Sequence, residues 1–146
     1  MVVALPSGHA AAKMKDPREP VALKSFFAET FIVYGRRFGP GLYDATMQAC
    51  RAAGFDPRLG QEAPRITSTL GFVATGLGIA LVPASMQRVS MDGVVYRSLA
   101  GPVQPTAVLN LASRRGDPSL AVRQFANLVK RSARTFLGDK SAETGM

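Results

Sequence analysis

Residues 31–55 read FIVYGRRFGPGLYDATMQACRAAGF, and that stretch decides the fold. Phe31, Ile32, Val33 and Tyr34 are the β-branched and aromatic residues of a strand. Gly35, Arg36, Arg37, Phe38, Gly39, Pro40 and Gly41 then break the pattern, and from about Leu42 to Ala53 apolar side chains return at helical spacing. Gly54 fits the position just past such a helix, where a left-handed backbone is needed.

Outward from this unit, residues 58–62 predict a second strand. Thr67 or Ser68 caps a helix running to about Thr75, where Gly76 and Gly78 end it, and residues 79–82 form a third strand. Strand, helix, strand, helix, strand with short joints makes two consecutive βαβ units, which implies a parallel sheet with right-handed crossovers in an α/β domain. Upstream, residues 2–5 are a short apolar strand stopped by Pro6, and residues 13–20 a charged loop. Downstream, residues 94–99 and 107–113 read as further strands, separated by Gly101, Pro102 and Pro105. In the last helix Asp117 is the expected N-cap and Pro118 the first helical residue. Val122, Phe125, Ala126, Val129, Ala133 and Phe136 share one face of it, and residues 138–146 are expected to be a disordered tail.

Of the 146 residues 47% are hydrophobic and 19% charged, enough apolar mass for one compact core and too much for a disordered chain. Lys plus Arg number 18 against 10 Asp plus Glu, a net charge of +8 that raises nucleic acid or a membrane surface as partners. On the last helix Arg123, Lys130 and Arg134 share one face opposite the apolar stripe, so an ordinary solvated basic face explains them better than a phosphate contact. The uncharged stretch 66–87 is long enough for a bilayer, but Gly71, Gly76, Gly78 and Pro83 interrupt it where a βα unit would break, and no membrane association is expected. No secretory signal opens the chain, which points to the cytoplasm.

One cysteine and one histidine exclude an internal disulfide, a zinc finger and most catalytic triads, so neither metal nor cofactor is expected. Cys50 lies on the Ala and Met side of its helix and reads as a buried, inert thiol, while His9 suits a surface or capping role. Neither the glycines of residues 39–44 nor those of residues 76–81 complete a GxGxxG nucleotide motif.

In an open parallel sheet ligands bind beyond the carboxyl ends of the strands. The loops 35–43 and 63–68 lie there, each leaving a strand and starting a helix whose unpaired N–H groups suit a carboxylate or phosphate. Arg36, Arg37 and Arg65 are the candidate anion contacts. Gly39, Pro40 and Gly41 equally suit a tight turn with solvated arginines beside it.

The run FIVYGRRFGPGLYDATMQACRAAGF, followed by TLGFVATGLGIALVPASM at 69–86 and GVVYRSL at 93–99, with VVALPSGH at 2–9, resembles the effector-binding domain of LysR-type transcriptional regulators. The loop RRFGPGLYD at 36–44 is most similar to the branch sensing aromatic-catabolism intermediates. The resemblance implies a periplasmic-binding-protein-like fold, a parallel sheet flanked by helices, in which two α/β subdomains enclose a small effector. Residues 1–5 would be a crossover strand, 6–100 the second subdomain, and 106–137 the return strand and C-terminal helix of the first subdomain. By the same resemblance Pro40, Gly41 and Leu42 contact effector and Ile66 and Thr67 line the cleft.

It further implies a homo-oligomer that senses a small anionic metabolite, such as an aromatic or dicarboxylic acid, and is not an enzyme. Such a protein reaches DNA only through a helix-turn-helix domain that these 146 residues do not contain. With part of a lobe absent, residues 120–136 would expose an apolar face and drive self-association or marginal stability. The alternative is a small-molecule-binding protein of the same two-lobed class without a regulatory role, which would need an export signal or a lipoprotein cysteine. A phosphate-handling α/β enzyme would need a metal carboxylate or base near residues 35–43, where Asp44 alone reads as a first-turn helix charge.

Overall fold

The computed structural model describes residues 1–101, 104–116 and 118–142, with the backbone alone from 134 onward. It divides into two units, Met1–Val108 and Leu109–Met146. In the first unit the strands are β1 (Val2–Pro6), β2 (Val21–Ala22), β3 (Thr30–Tyr34), β4 (Arg58–Ala63), β5 (Ala80–Val82) and β6 (Val94–Ala100). Helix α1 (Pro40–Ala52) joins β3 to β4, and α2 (Ile66–Ala74) joins β4 to β5. Short 3-10 turns at Ala10–Lys13, Leu23–Phe26 and Ala84–Arg88 complete it.

The two βαβ units expected from sequence are present. β3 pairs parallel with β4, and β5 enters on the other side of β3 through the parallel bridge Phe31 to Ile79, fixed by Ile32 N–H to Ile79 O at 2.7 Å and Ile79 N–H to Thr30 O at 2.9 Å. The sheet is mixed, however, because β1 runs antiparallel to both β5 and β6. β1 opens the first unit and belongs to neither βαβ unit, so no crossover constrains its direction. The remaining pair, β2 with β6, is parallel, giving the order β2-β6-β1-β5 beside β3-β4.

Alternation in β1 sorts the core. Val3 and Leu5 face one layer with Phe26, Phe31, Val33 and Cys50 under α1. Val2 and Ala4 face the other, with Ile32, Leu70, Val73 and Val82 under α2. A sheet buried on both sides needs the near-continuous apolar strands seen in β1 and β5, while the edge strand β4 is exposed except at Ala63. Both helices end as Schellman motifs on a glycine of positive φ. At Gly54 the bonds are Gly54 N–H to Arg51 O (2.9 Å) and Phe55 N–H to Cys50 O (3.1 Å), and at Gly76 they are Gly76 N–H to Val73 O (2.9 Å) and Leu77 N–H to Phe72 O (3.2 Å). The membrane-length stretch is divided among α2, β5 and the 84–88 turn, and among the described residues no helix is long and apolar enough to cross a membrane.

Arg97, which the sequence reading passed over, is only 2% exposed on the Val3 side of β6. Its Nε donates to Ala11 O (3.1 Å), one terminal nitrogen to Asp16 O (2.6 Å) and the other to Ala12 O and Met14 O (3.1 Å each). The charged loop is thereby tied to the sheet. Gln104 likewise closes the exit from β6, its amide donating to Leu99 O (2.8 Å) and Gly101 O (3.0 Å).

The second unit holds α3 (Leu120–Ala142). The expected N-cap, Asp117, lies outside the described residues. The helix starts at Leu120, and Ser119 takes the capping role, its hydroxyl accepting from Val122 N–H at 3.4 Å. Helix continues from Gly138 to Ala142, where a tail was expected to begin, and residues 143–146 lie outside the described set. No strand forms over 107–113. That segment finds no ladder partner among the described residues, and an unpaired strand cannot satisfy its own backbone. Within this unit residues 111–114 lie along α3 and leave a groove of about 370 Å3 against Ala121, Val122, Phe125 and Ala126. Leu109 is 98% exposed and Leu120, Phe125 and Leu128 are also exposed.

Candidate functional site

The β3/β4 register places Tyr34 beside Ala63, so both strands end at one level, and Gly35 N–H donates to Ala63 O at 3.1 Å just beyond it. Residues 35–39 lead into α1 and residues 64–65 into α2, which brings the two helix N-termini to the same edge of the sheet. Neither helix has a side-chain cap or an acidic residue in its first turn. Pro40 at the first position of α1 has no N–H to lose, whereas the N–H groups of Gly41 and Leu42, and those of Ile66, Thr67 and Ser68, have no acceptor within their helices. This edge is therefore rich in unpaired donors and positive partial charge.

Sequence reasoning placed the cap of α2 at Thr67 or Ser68. The cap residue is Arg65, with extended backbone at φ −141°, and both hydroxyl residues lie in the first turn. Arg65 O accepts from Thr69 N–H (3.0 Å) and from the Thr69 hydroxyl (3.2 Å), which draws the helix back to start at Ile66. A cation at this end opposes the helix dipole, a local conflict that a bound anion would relieve. Asp44 sits in the second turn of α1, since the helix begins at Pro40, and its carboxylate accepts from Arg36 Nε at 3.2 Å.

The three candidate cations thus differ. Arg36 is held by Asp44, and the Arg37 guanidinium lies 4.6 Å from the centre of the Phe38 ring. The Arg65 side chain makes no hydrogen bond or ion pair to a described residue. All three are exposed, as are Pro40, Gly41 and Thr67, while Leu42 and Ile66 are half-buried. The 35–39 loop is set by aromatic packing, with Tyr34 and Phe38 6.3 Å apart and a side chain at Gly39 excluded by the Tyr34 ring. The site is an open shelf. A deeper apolar groove of about 650 Å3 lies elsewhere in this unit, along Ala45, Ala49 and Ala52 of α1 and Leu99 of β6, and is lined by none of the candidate residues.

Other sequence-singled residues fall where their chemistry suits them. Cys50 is fully buried, and burial, helped by the Asp56 carboxylate, pushes its thiol up to about 11. His9 caps the 10–13 turn, its Nδ1 accepting from Ala11 N–H at 3.1 Å while Nε2 lies 3.3 Å from Glu29 Oε1. Among the described residues no cluster of three or more metal-ligating side chains occurs.

A family model described as the LysR substrate binding domain matches residues 1–134. The chain belongs to this family. Its members among curated proteins include the HTH-type transcriptional regulator CatR of Pseudomonas putida, 30% identical over 135 residues, covering 91% of this chain and 44% of that protein. Another is BenM of Acinetobacter baylyi, 30% identical over 102 residues, covering 70% of this chain and 33% of that protein. The chain thus spans less than half the length of these LysR-type relatives. Among solved structures the BenM effector-binding domain with its effector benzoate superposes at a TM-score of 0.61 with 29% identity, covering 69% of this chain and 45% of that one. The mixed α/β architecture is accordingly the periplasmic-binding-protein-like fold of LysR effector-binding domains. The relatives are transcriptional regulators, not enzymes.

Proposed function

We propose that this chain is the effector-reading part of a LysR-type transcriptional regulator, and that it senses a small anionic metabolite without turning it over. The observation that carries this is the convergence of two uncapped helix N-termini on one sheet edge, with Arg65 as a cation opposing the dipole of α2. Pro40, Gly41 and Leu42 on one side and Ile66 and Thr67 on the other would contact the effector, Arg65 would meet its carboxylate, and Arg36 and Arg37 would add long-range attraction. An aromatic or dicarboxylic acid fits these donors, and benzoate is the effector in the BenM domain.

On this reading residues 1–5 act as a crossover strand, 6–100 as the second subdomain and 106–137 as part of the first. DNA is reached through a separate helix-turn-helix domain, in a cytoplasmic homo-oligomer. The test is thermal: a panel of aromatic and dicarboxylic acids is screened for a rise in melting temperature, with product analysis on every hit. At least one acid should stabilise the protein and be recovered unchanged, and Arg65→Ala should lower that stabilisation. Conversion of a hit, or stabilisation unaffected by Arg65→Ala and by Gly41→Pro, would defeat the proposal.

A further inference from the structure

We infer that Glu62 sets the charge selectivity of the candidate effector site, favouring, among the aromatic and dicarboxylic acids considered for it, ligands with a single carboxylate; this rests on the site reading above. Glu62 is the last exposed residue of β4, opposite Val33 in the register and two positions before the segment 64–65 that leads into α2. Its place is built into that loop. A Cβ added at Gly35 would lie 3.1 Å from Glu62 Oε2 and 3.1 Å from Phe38 Cδ2, so the missing side chain of Gly35 leaves room where carboxylate and ring meet. The same Phe38 ring carries the Arg37 guanidinium and packs tilted at 49° against Tyr34.

Glu62 makes no hydrogen bond or ion pair to a described residue, although its strand ends at the edge that carries Arg36, Arg37 and Arg65. Of the arginines that could answer it, Arg36 is committed to Asp44, Arg37 to the Phe38 ring and Arg58, four positions before it, to the Thr30 hydroxyl, which leaves Arg65 three positions after it. Around the rim three guanidinium groups face two carboxylates, a single net positive charge beyond the helix ends. One ligand carboxylate is met by the free N–H groups of α1 and α2 and by Arg65. A second finds no uncommitted cation and shares the rim with Glu62, and like charges at a partly exposed site repel by several-fold in binding constant.

The test uses the 146-residue chain and its Glu62→Gln variant, titrated by NMR with two pairs of acids, benzoate against terephthalate and acetate against succinate. Each pair differs by one carboxylate. The wild type should prefer the monoacid of each pair. Glu62→Gln should tighten the diacid by about three- to tenfold while moving the monoacid by less than about twofold. Glu19→Gln, which removes the same charge just ahead of β2 at the opposite edge of the sheet, should change neither ratio. If Glu62→Gln strengthens both acids alike, or leaves the ratios where they were, the selectivity role is wrong while the site stands. If none of the four acids perturbs the amide signals of Gly41, Leu42 or Thr67 in either protein, the site reading fails and the role of Glu62 falls with it.

Discussion

Arg97→Met should be among the most damaging single changes in the first unit. The guanidinium is buried and satisfies four backbone carbonyls, those of Ala11, Ala12, Met14 and Asp16, at 2.6–3.1 Å, with no carboxylate partner among these contacts. Methionine fills much of the same volume but donates nothing, so the four acceptors lose a charged partner. Removing one side of a buried charged network costs about 3–5 kcal/mol. The low end applies here, because residues 11–16 are exposed or half-buried and their carbonyls can rehydrate if the loop swings away. We therefore expect a loss of about 3 kcal/mol, a fall in the urea midpoint of roughly 1.5 M for a small domain. Arg97→Lys keeps the charge but reaches fewer carbonyls from one nitrogen, and should lose about half as much. Hydrogen exchange separates mechanisms: the Ala12 amide, bonded to His9 O at 3.0 Å, should lose protection in the methionine variant well before the strands do. A loss under about 1 kcal/mol, or unchanged exchange over residues 10–16, would refute the clamp.

The Cys50 thiol, pushed from 9.0 to about 11 by burial and Asp56, stays protonated in the folded protein while the unfolded chain ionises, so stability should fall as pH rises from about 9 to 11. Burial raises Tyr96 as well and adds to the fall, so the cysteine contribution, at most about 3 kcal/mol, is read as the difference between wild type and Cys50→Ala denaturation curves. Gly39→Ala should cost about 1–3 kcal/mol because its methyl overlaps the Tyr34 ring, and combining it with Tyr34→Ala should recover much of that loss in a double-mutant cycle. Removal of residues 109–146 should leave residues 1–108 with a cooperative melt, since both buried clusters lie within them, and should abolish the concentration-dependent association in sedimentation velocity that exposed Leu109, Leu120 and Phe125 are expected to cause.

The parts of the fold legible in the sequence were those whose determinants are local. The βαβ pattern from Phe31 to Val82 showed through the switch from strand to helix spacing, and Gly54 and Gly76 marked helix ends because only a positive φ closes them in this way. Direction of pairing was not local: β1 is apolar whichever way it runs, and only its partners β5 and β6 make it antiparallel. The start of α2 was misplaced because a hydroxyl residue is a good cap in general, whereas here Arg65 O captures Thr69 and moves the start upstream. Arg97 was invisible for a similar reason. Its burial depends on a loop more than 80 positions away along the chain, and its alternation with Tyr96 and Ser98 reads only as a strand. At the site, the two helix ends could be located from strand order, but which arginine remains uncommitted depended on Asp44 and Phe38 and could be read only from coordinates.

The candidate site also shares its sheet edge with the start of β1 and the end of β6. β5 is parallel to β3, and β1 is antiparallel to β5, so β1 starts at the edge where β3 and β4 end. β6 is antiparallel to β1 and ends at that edge too, with Val2 beside Ser98. The Met1 amine donates to Pro105 O at 2.6 Å, and Gln104 ties the segment after β6 to Leu99 and Gly101. An anion held by α1 and α2 would therefore act beside the start of β1 and the end of β6 and away from the edge fixed by the Arg97 clamp. Charge changes at the rim, Glu62→Gln or Arg65→Ala, should then alter ligand affinity with little change in the urea midpoint, while Arg97→Met should do the reverse. Equal effects of all three on both quantities would mean that the edge and the sheet unfold as one body, and that ligand binding reports only on global stability.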